Sequence, residues 1–247
     1  TNLSEVEKER LVGDLMRFVL FADLHKQTVT KQNISQKVLK EYAGKRNVNS
    51  EIIAEAQARF KNIFGFEWRE LPKTTVQRTG NVKKKVVDPN GKSGKYILVN
   101  KLADTEKLLT WEAQGPILGL LMVVLAIIHL NNNVVEQETL FSLLSHVGLE
   151  EHNPPDDLVN WVELIEKTFV KQLYLEREKI SDRVNTNGEE VYEYRIGQRS
   201  KIEIPTVNIM KFIAEVFGEK LSDIQLKEAQ DEQNGEESTE QSHLKNI

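Results

Sequence analysis

The chain has 247 residues and a formal net charge of −5, and 39% of its residues are hydrophobic, which suffices for one large domain or two small ones. It contains no cysteine, so disulfide frameworks, cysteine-ligated zinc sites and thiol nucleophiles are excluded. The longest apolar run, residues 117–130, has 14 residues. A membrane-spanning helix needs about 20, so this run predicts a buried core helix and no membrane segment.

The small net charge conceals an uneven distribution along the chain. Residues 1–110 carry 21 basic and 13 acidic side chains, whereas residues 111–227 carry 11 basic and 19 acidic ones. Residues 228–247 add one basic and six acidic side chains. The stretch 59–101 alone holds 11 basic and 3 acidic residues. Such asymmetry bears on binding partners rather than on the fold.

Three helices are predicted first. Ser4 and Glu7 form an S-x-x-E capping box, which indicates a helix start, and apolar residues then recur at helical spacing. A second helix is expected after residues 28–30. A third begins near Ser50, and Gly65 ends it.

Strand patterns follow these helices. Residues 66–71 alternate as a short strand does, and residues 82–87 and 95–99 are two further strand candidates. Between the last two lies Asp88-Pro89-Asn90-Gly91, a sequence that favours a turn because Pro presets φ and Asn-Gly accepts positive φ. Three helices followed by a hairpin is the order of a winged-helix domain.

The same order then repeats. After Gly115-Pro116 the pattern predicts three helices, two strands and a closing helix, at residues 117–130, 136–146, from 154, 172–177, 191–196 and 206–217. We therefore expect a mainly α fold with small β-hairpins, built as two tandem winged-helix domains. The expected parts are a first domain, a connector, a second domain and an acidic disordered tail, at residues 1–102, 103–115, 116–218 and 219–247.

Signals of catalysis are weak. None of the five histidines lies in H-E-x-x-H, and no pair has i, i+4 metal-binding spacing. Gly91-Lys92-Ser93 resembles the end of a phosphate-binding loop, but Val86 stands where that motif needs glycine. We expect no enzyme, and no catalytic residue, cofactor, metal or small-molecule substrate.

The basic residues are more informative. Lys83, Lys84 and Lys85 lie on a predicted hairpin, which a winged helix can lay along a phosphate backbone. The alternative is a solvated hairpin whose lysines protect a strand edge from aggregation. A second basic set near the later hairpin is almost cancelled by neighbouring acids, so ion pairing is its simpler explanation.

Four motifs resemble the MAGE homology domain family. They are residues 64–67 (FGFE), 96–102 (YILVNKL), 119–149 (from GLLMVVLAIIHL to SHVGL) and 192–199 (YEYRIGQR). The resemblance covers about residues 5–218, in order. The family fold is two tandem winged helices, in agreement with the repeat.

The family has two branches. One branch binds and stimulates RING ubiquitin ligases, and the other is the MAGE-domain subunit of the SMC five–six chromosome complex. The loose motif matches and the long lysine-rich hairpin favour the second branch, and the alternative is a ligase adaptor that binds no DNA. The second branch implies a nuclear, chromosome-associated subunit with a RING-type partner, a kleisin partner, indirect contact with SMC heads, and duplex DNA.

The resemblance also implies which residues meet each partner. In the family the first helix contacts the RING partner through paired leucines, and the corresponding candidates are Leu15, Phe18, Val19, Leu20 and Phe21. The second winged helix holds the kleisin in an apolar pocket, with candidates Leu120, Leu121, Val124 and Phe141. The DNA candidates are Lys83, Lys84, Lys85, Lys179, Arg183, Arg195, Arg199 and Lys201.

Overall fold

The computed structural model describes residues 3–42, 44–79, 82–101, 115–150, 152–184 and 188–220. These residues form two compact units, one on each side of the stretch 102–114. The predicted connector and acidic tail lie almost entirely outside the described residues. Within the described ranges, no helix is long and apolar enough to cross a membrane, and no cluster of three or more His, Asp or Glu could hold a metal ion.

The first unit begins with three helical segments and one short strand. In chain order they are α1 (Glu5–Leu24), β1 (Val29–Thr30), α2 (Lys31–Asn33) and α3 (Arg46–Arg59). Helix α2 continues as a π-helical turn, Ile34–Val38, and a 3-10 turn, Lys40–Tyr42, while α3 continues as the π-helical turn Phe60–Phe64. Ser4 Oγ accepts a hydrogen bond from Glu7 N at 3.3 Å, one half of the predicted capping box. Gly65 adopts φ 67° at the end of the third helix, as its position predicts.

A three-stranded antiparallel sheet completes the first unit. Strand β2 is Phe66–Thr79 and β3 is Val82–Asn100, and the strand order is β1-β3-β2. The core lies between this sheet and the helices, where Phe60, Trp68 and Tyr96 are buried. The Phe60 and Trp68 rings meet edge to face at 6.1 Å, and the Trp68 and Tyr96 centroids lie 5.0 Å apart.

The second unit repeats this order with a different third helix. Its helices are α4 (Gly115–Leu130), α5 (Gln137–His146), α6 (Trp161–Glu163), α7 (Phe169–Lys171), α8 (Gln198–Glu203) and α9 (Thr206–Phe217). The π-helical turn Leu164–Thr168 joins α6 to α7, and a 3-10 turn, Asp156–Leu158, precedes them. Its strands are β4 (Val134–Glu136), β5 (Leu175–Val184) and β6 (Glu190–Ile196), in the order β4-β6-β5.

Helix α4 is the central core helix of the second unit, as its hydrophobicity predicts. Six of its residues are buried, and they pack with Trp161, Phe169 and Tyr194 in one apolar cluster. Asn132 and Asn133 adopt positive φ after α4, which fits the predicted asparagine turn. The mainly helical fold with two winged helices is therefore confirmed, although the short strands β1 and β4 and helix α8 were not predicted.

Candidate nucleic-acid and partner interfaces

The hairpin of the first unit extends far beyond its sheet. Strand β1 pairs with β3 only at Lys95 and Tyr96, whereas β2 and β3 pair as far as Thr79 and Val82. Residues 73–79 and 82–88 therefore form a two-stranded ribbon, which we call the arm. The sequence predicted two shorter strands here rather than one long hairpin.

A bulge separates the arm from the sheet. Pro72 pairs with Lys92 and Lys73 pairs with Asp88, so residues 89–91 have no counterpart on β2. The predicted turn at Asp88–Gly91 is therefore wrong, because these residues lie within β3. A Cβ on Gly91 would lie 2.6 Å from Asp88 Oδ2 and 2.8 Å from Lys73 Cβ, so this close approach of the strands requires glycine.

The carboxylate of Glu70 ties the base of the arm together. Its Oε1 accepts hydrogen bonds from Gly94 N at 2.8 Å and from Lys31 Nζ at 3.3 Å, while Oε2 accepts one from Tyr96 Oη at 2.9 Å. Burial raises the pKa of Tyr96, and the bond to Glu70 raises it further. Ser93 Oγ donates to Leu71 O at 2.6 Å. The arm is thus anchored by partly buried, charge-assisted bonds.

The arm has a large excess of positive charge. It contains five basic residues and one acidic residue. In the described register Lys83, Lys84 and Lys85 stand opposite Arg78, Gln77 and Val76. None of these three opposite residues is acidic, whereas Lys73 stands opposite Asp88.

The hairpin of the second unit, β5–β6, which we call the second wing, is different. Its predicted DNA-binding cations all pair with nearby carboxylates. Lys179 Nζ lies 2.5 Å from Glu190 Oε1, and Arg183 Nη1 lies 2.6 Å from Glu136 Oε1. Hydrogen bonding to Lys179, and then to Tyr192, lowers the pKa of Glu190, so this carboxylate stays charged.

The third cation of the second wing is also paired, and the wing is close to electrically neutral. Arg195 Nη2 lies 2.8 Å from Glu193 Oε1. The guanidinium of Arg177 lies 3.7 Å from the centroid of the Tyr192 ring and 3.1 Å from Glu166. Lys201 is exposed on α8. The simpler prediction from the sequence, that the cations near this hairpin pair with neighbouring carboxylates, describes this wing well.

Arg199 is completely buried, so the prediction that it contacts DNA is wrong. Its Nε donates to Gln172 O at 2.8 Å and its Nη1 donates to Glu203 Oε1 at 2.8 Å. Tyr174 Oη donates to the other Glu203 oxygen at 2.7 Å. Because a buried charge is costly unless it is paired and hydrogen-bonded, these contacts define a structural role: they hold α8 against the start of β5.

The candidates on α1 divide between the core and the surface. Leu15 and Val19 are buried in the core of the first unit, so they are not available for a partner, which corrects their prediction. Phe18 and Leu20 are partly buried against the same core. Phe21 is 67% exposed, and Leu24, which the sequence analysis missed, is 56% exposed. Apart from Val6 in the first turn, the exposed large apolar residues of α1 therefore lie at its C-terminal end.

The predicted kleisin pocket is largely filled by the core of the second unit. Leu120, Leu121 and Val124 are buried in it, so their prediction as direct contacts is also wrong. Phe141 is partly buried and meets Trp161 edge to face at 5.2 Å. Leu143, predicted to point inward, is 38% exposed on the same helix, so α5 offers some apolar surface, and Leu130 at the end of α4 is 58% exposed as well.

Comparison with known protein families identifies the family to which this chain belongs. The sequence profile of the MAGE homology domain matches residues 15–207. The chain belongs to the MAGE homology domain family. The matched range extends from α1 to the first turn of α9, so it includes both winged helices.

Individual MAGE relatives match over most of the chain. Human melanoma-associated antigen E1 is 30% identical over 210 residues, which is 85% of this chain and 19% of that protein. The human non-structural maintenance of chromosomes element 3 homolog is 27% identical over 224 residues, which is 89% of this chain and 65% of that protein. This chain therefore spans about a fifth of the first relative and about two thirds of the second.

One solved MAGE-type structure has the same fold. A chain from a structure titled "Nse1-Nse3-Nse4 complex" is 26% identical, with a TM-score of 0.74. The similarity covers 92% of this chain and 100% of that chain. The resemblance inferred from the four motifs is thereby confirmed.

Two residues of the MAGE motif at residues 192–199, Gly197 and Arg199, have structural roles. Its Arg199 is buried, and a Cβ on its Gly197 would lie 2.2 Å from Leu173 O. Gly197 N donates to Tyr174 O at 2.8 Å across this contact. Sequence reasoning missed this role because a buried arginine and an exposed one look alike in a chain with many charges.

Proposed function

We propose that this MAGE domain is a non-catalytic subunit of an SMC five–six-type chromosome complex. In this proposal it is nuclear and chromosome-associated, bridges a RING-type subunit and a kleisin subunit, contacts the SMC heads only indirectly, and binds duplex DNA. The observation that carries the proposal is the match to a whole chain of the Nse1-Nse3-Nse4 complex. The relationship to the element 3 homologs supports it independently.

The DNA-binding part of the proposal rests on the arm. Its net positive charge stands on a hairpin that projects from a winged helix, and the register gives Lys83, Lys84 and Lys85 no acidic neighbour opposite. Cations in such a position can neutralise phosphates and release counterions, which gives affinity that does not depend on sequence. Lys179, Arg183, Arg195 and Lys201 are kept as secondary candidates, and Arg199 is not.

The RING-type partner is proposed to bind the C-terminal end of α1. Phe21 and Leu24 are both mostly exposed, and Phe18, three residues before Phe21 on the same helix, is partly buried. Exposed aromatic and aliphatic residues of this kind are typical anchors of protein interfaces. Leu15 and Val19 support this surface from within the core.

The kleisin is proposed to bind the second unit near α5. Phe141 and Leu143 are partly exposed on this helix, and Val147 directly after it is 64% exposed. Leu120, Leu121 and Val124 are proposed to shape this surface indirectly, since they form the core behind it. The contact would then be a shallow apolar face rather than a deep pocket.

A reconstitution experiment tests the proposal. The chain is co-expressed with a RING-type and a kleisin subunit, and the purified assembly is titrated with duplex DNA at two salt concentrations. We expect a stable three-subunit complex whose DNA affinity falls steeply as salt rises. Failure of both subunits to co-purify would refute the subunit assignment, and absence of DNA binding at low salt would refute the DNA part.

The second candidate function is a RING-ligase adaptor that binds no DNA. The neutral, self-paired surface of the second wing favours it, as does the match to melanoma-associated antigen E1. Co-purification with a RING protein, without a kleisin and without measurable DNA binding, would support this alternative.

A further inference from the structure

We propose that Glu70 and Ser93 are positioning residues, which fix the direction in which the arm leaves the sheet of the first unit. They act at the junction, by which we mean residues 70–72 of β2 and residues 89–96 of β3, between the sheet and the arm. The fixed direction is a property of the first unit alone. Its benefit, an arm that is already oriented for duplex DNA, rests on the proposed function.

The regular pairing of β2 with β3 is interrupted in the junction. Here 3 residues of β2 stand against 8 residues of β3, and the register shifts on both sides of Pro72. Proline also has no backbone N–H to donate to the neighbouring strand. Because bulges bend a strand and disrupt its ladder of hydrogen bonds, backbone pairing by itself defines the direction of the arm only weakly.

Two side chains bind backbone groups across this interruption. Ser93 Oγ donates a hydrogen bond to Leu71 O at 2.6 Å and accepts one from Lys95 N at 3.1 Å. Glu70 Oε1 accepts a hydrogen bond from Gly94 N at 2.8 Å. Ser93 thus reaches from β3 to β2, and Glu70 is reached from β3, so both side chains link the two strands where the ladder is broken.

Glu70 also connects the junction to the rest of the first unit. Its Oε2 accepts a hydrogen bond from Oη of Tyr96, which is only 3% exposed. Its Oε1 lies 3.3 Å from Nζ of Lys31 on α2. Since 18% of the Glu70 side chain is exposed, these charge-assisted bonds are partly shielded from water and are strong. One carboxylate therefore joins β2, β3 and α2 at the point where the arm begins.

A purely stabilising role for Glu70 and Ser93 is the alternative. In that case the ribbon sets its own direction, and loss of either side chain lowers the free energy of unfolding without changing where the arm points. The two roles also differ in their effect on binding. An arm of fixed direction loses little conformational freedom when it meets a ligand, whereas a swinging arm must first be ordered at a cost in affinity.

The distance between two spin labels measures the direction of the arm. The chain contains no cysteine, so a pair of labelled cysteines can be introduced without removing any native residue of that type. One label replaces Ala58, which is exposed on α3, and the other replaces Thr79 in the arm. Pulsed electron paramagnetic resonance of the full chain then gives the distribution of distances between the labels.

Four variants are compared with the wild type in this double-labelled chain. Glu70→Ala should broaden the distribution at least about twofold, and Ser93→Ala, which removes fewer bonds, about 1.5-fold. Glu70→Gln keeps an oxygen that can accept the bond from Gly94 N, so it should restore most of the narrow wild-type distribution. The control is Glu67→Ala, on the same strand but outside the junction, where the carboxylate lies 3.6 Å from Lys101 Nζ. It should change the width by less than about 1.2-fold.

Duplex binding measures the benefit of the fixed direction. In the assembly with the RING-type and kleisin subunits, Glu70→Ala should weaken binding of a labelled duplex by about threefold, because the arm must be ordered on binding. The slope of log affinity against log salt should stay the same, since the phosphate contacts are retained. Removal of a carboxylate by itself strengthens the attraction of phosphate, so a loss of affinity has the opposite sign to the change in charge.

The outcomes separate this inference from the proposed function. A broad distribution in the wild type, an unchanged one in Glu70→Ala and Ser93→Ala, or equal broadening by Glu67→Ala would each refute the positioning role and leave DNA binding untouched. Broadening without any loss of affinity would refute the benefit. If the wild-type assembly binds no duplex at low salt, the proposed DNA binding is refuted, and the distances still decide the positioning role. Circular dichroism checks that each variant is folded, and Ser93→Ala keeps the test decisive if Glu70→Ala is not.

Discussion

The two hairpins occupy the same place in two copies of one fold, but the arm carries an excess of basic residues, whereas the second wing is close to neutral. In the arm, the strand register pairs the three lysines with Arg78, Gln77 and Val76, none of which is acidic. In the second wing, Lys179, Arg183 and Arg195 each have a carboxylate within 3 Å. Counting basic residues therefore does not locate a nucleic-acid surface, because charge that is already paired attracts phosphate weakly.

The bases of the two hairpins also differ in how they are held. Glu70 gathers bonds from Tyr96, Gly94 and Lys31 under the arm, where the cation is half exposed. Under the second wing the cation is Arg199, and it is fully buried. Arg199, which belongs to the MAGE motif of the second unit, therefore lies inside the fold and adds no charge to the surface.

The largest effect is expected from Arg199→Ala. Removing the guanidinium leaves Glu203 and the carbonyl of Gln172 without their buried partner, so the free energy of unfolding should fall by about 3–5 kcal/mol. Thermal denaturation measures this loss. Arg195→Ala is the matched control on the exposed wing and should leave the melting temperature nearly unchanged. A stable Arg199→Ala variant would show that this arginine is not structural.

The next largest effect is expected from reversing the charge of the arm. Lys83→Glu, Lys84→Glu and Lys85→Glu together should weaken duplex binding by about 30-fold at 0.15 M salt, because attraction of the phosphates by the arm is replaced by repulsion.

The matched variant on the second wing combines Lys179→Glu, Arg183→Glu and Arg195→Glu. It should weaken binding by less than about threefold, since these cations are already neutralised. Equal losses in the two triple variants would remove the distinction between the hairpins.

A smaller effect, in the opposite direction, should follow from removing the carboxylates of the second wing. Glu136→Gln, Glu190→Gln and Glu193→Gln together would release the three paired cations, so duplex affinity should rise by about threefold and depend more steeply on salt. Anisotropy titrations at two salt concentrations measure both quantities. An unchanged affinity would mean that ion pairing is not what keeps this wing from binding.

The smallest effect concerns pH at the base of the arm. Burial and the hydrogen bond to Glu70 raise the pKa of Tyr96. The folded chain therefore holds the phenolic proton of Tyr96 more tightly than the unfolded chain, in which a tyrosine has a pKa of about 10. This contribution to stability is complete below about pH 10 and is lost as the pH rises further. In urea unfolding at pH 8 and pH 11, Tyr96→Phe should lose less stability than the wild type. Parallel losses would contradict this account.

The sequence was sufficient for the architecture, because hydrophobic periodicity and capping residues act locally. Ser4, Gly65 and the Asn131–Asn133 turn each do what their positions predict. The short strands β1 and β4 could not be predicted, because each exists only by pairing with a distant strand. Asp88–Gly91 was misassigned for the same reason: a turn sequence within a long hairpin forms a bulge when the flanking strands keep pairing.

The candidate sites were harder to predict than the fold. An apolar residue on a helix gives the same signal whether it faces a core or a partner, so Leu15, Val19 and Leu121 were assigned to interfaces although they are buried. Ion pairs across strands, such as Arg183 with Glu136, join residues far apart in sequence. Only the register and the burial of side chains separate these cases.

The central claim is that DNA contacts the arm of the first unit rather than the second wing, and site-directed cross-linking tests it most directly. The chain contains no cysteine, so a single cysteine carrying a photoreactive probe can be placed at Thr79 in the arm or at the exposed Val184 in the second wing. Neither substitution changes a charge. We predict strong cross-linking to bound duplex from position 79 and little from position 184. Efficient cross-linking from position 184 with none from position 79 would contradict the account.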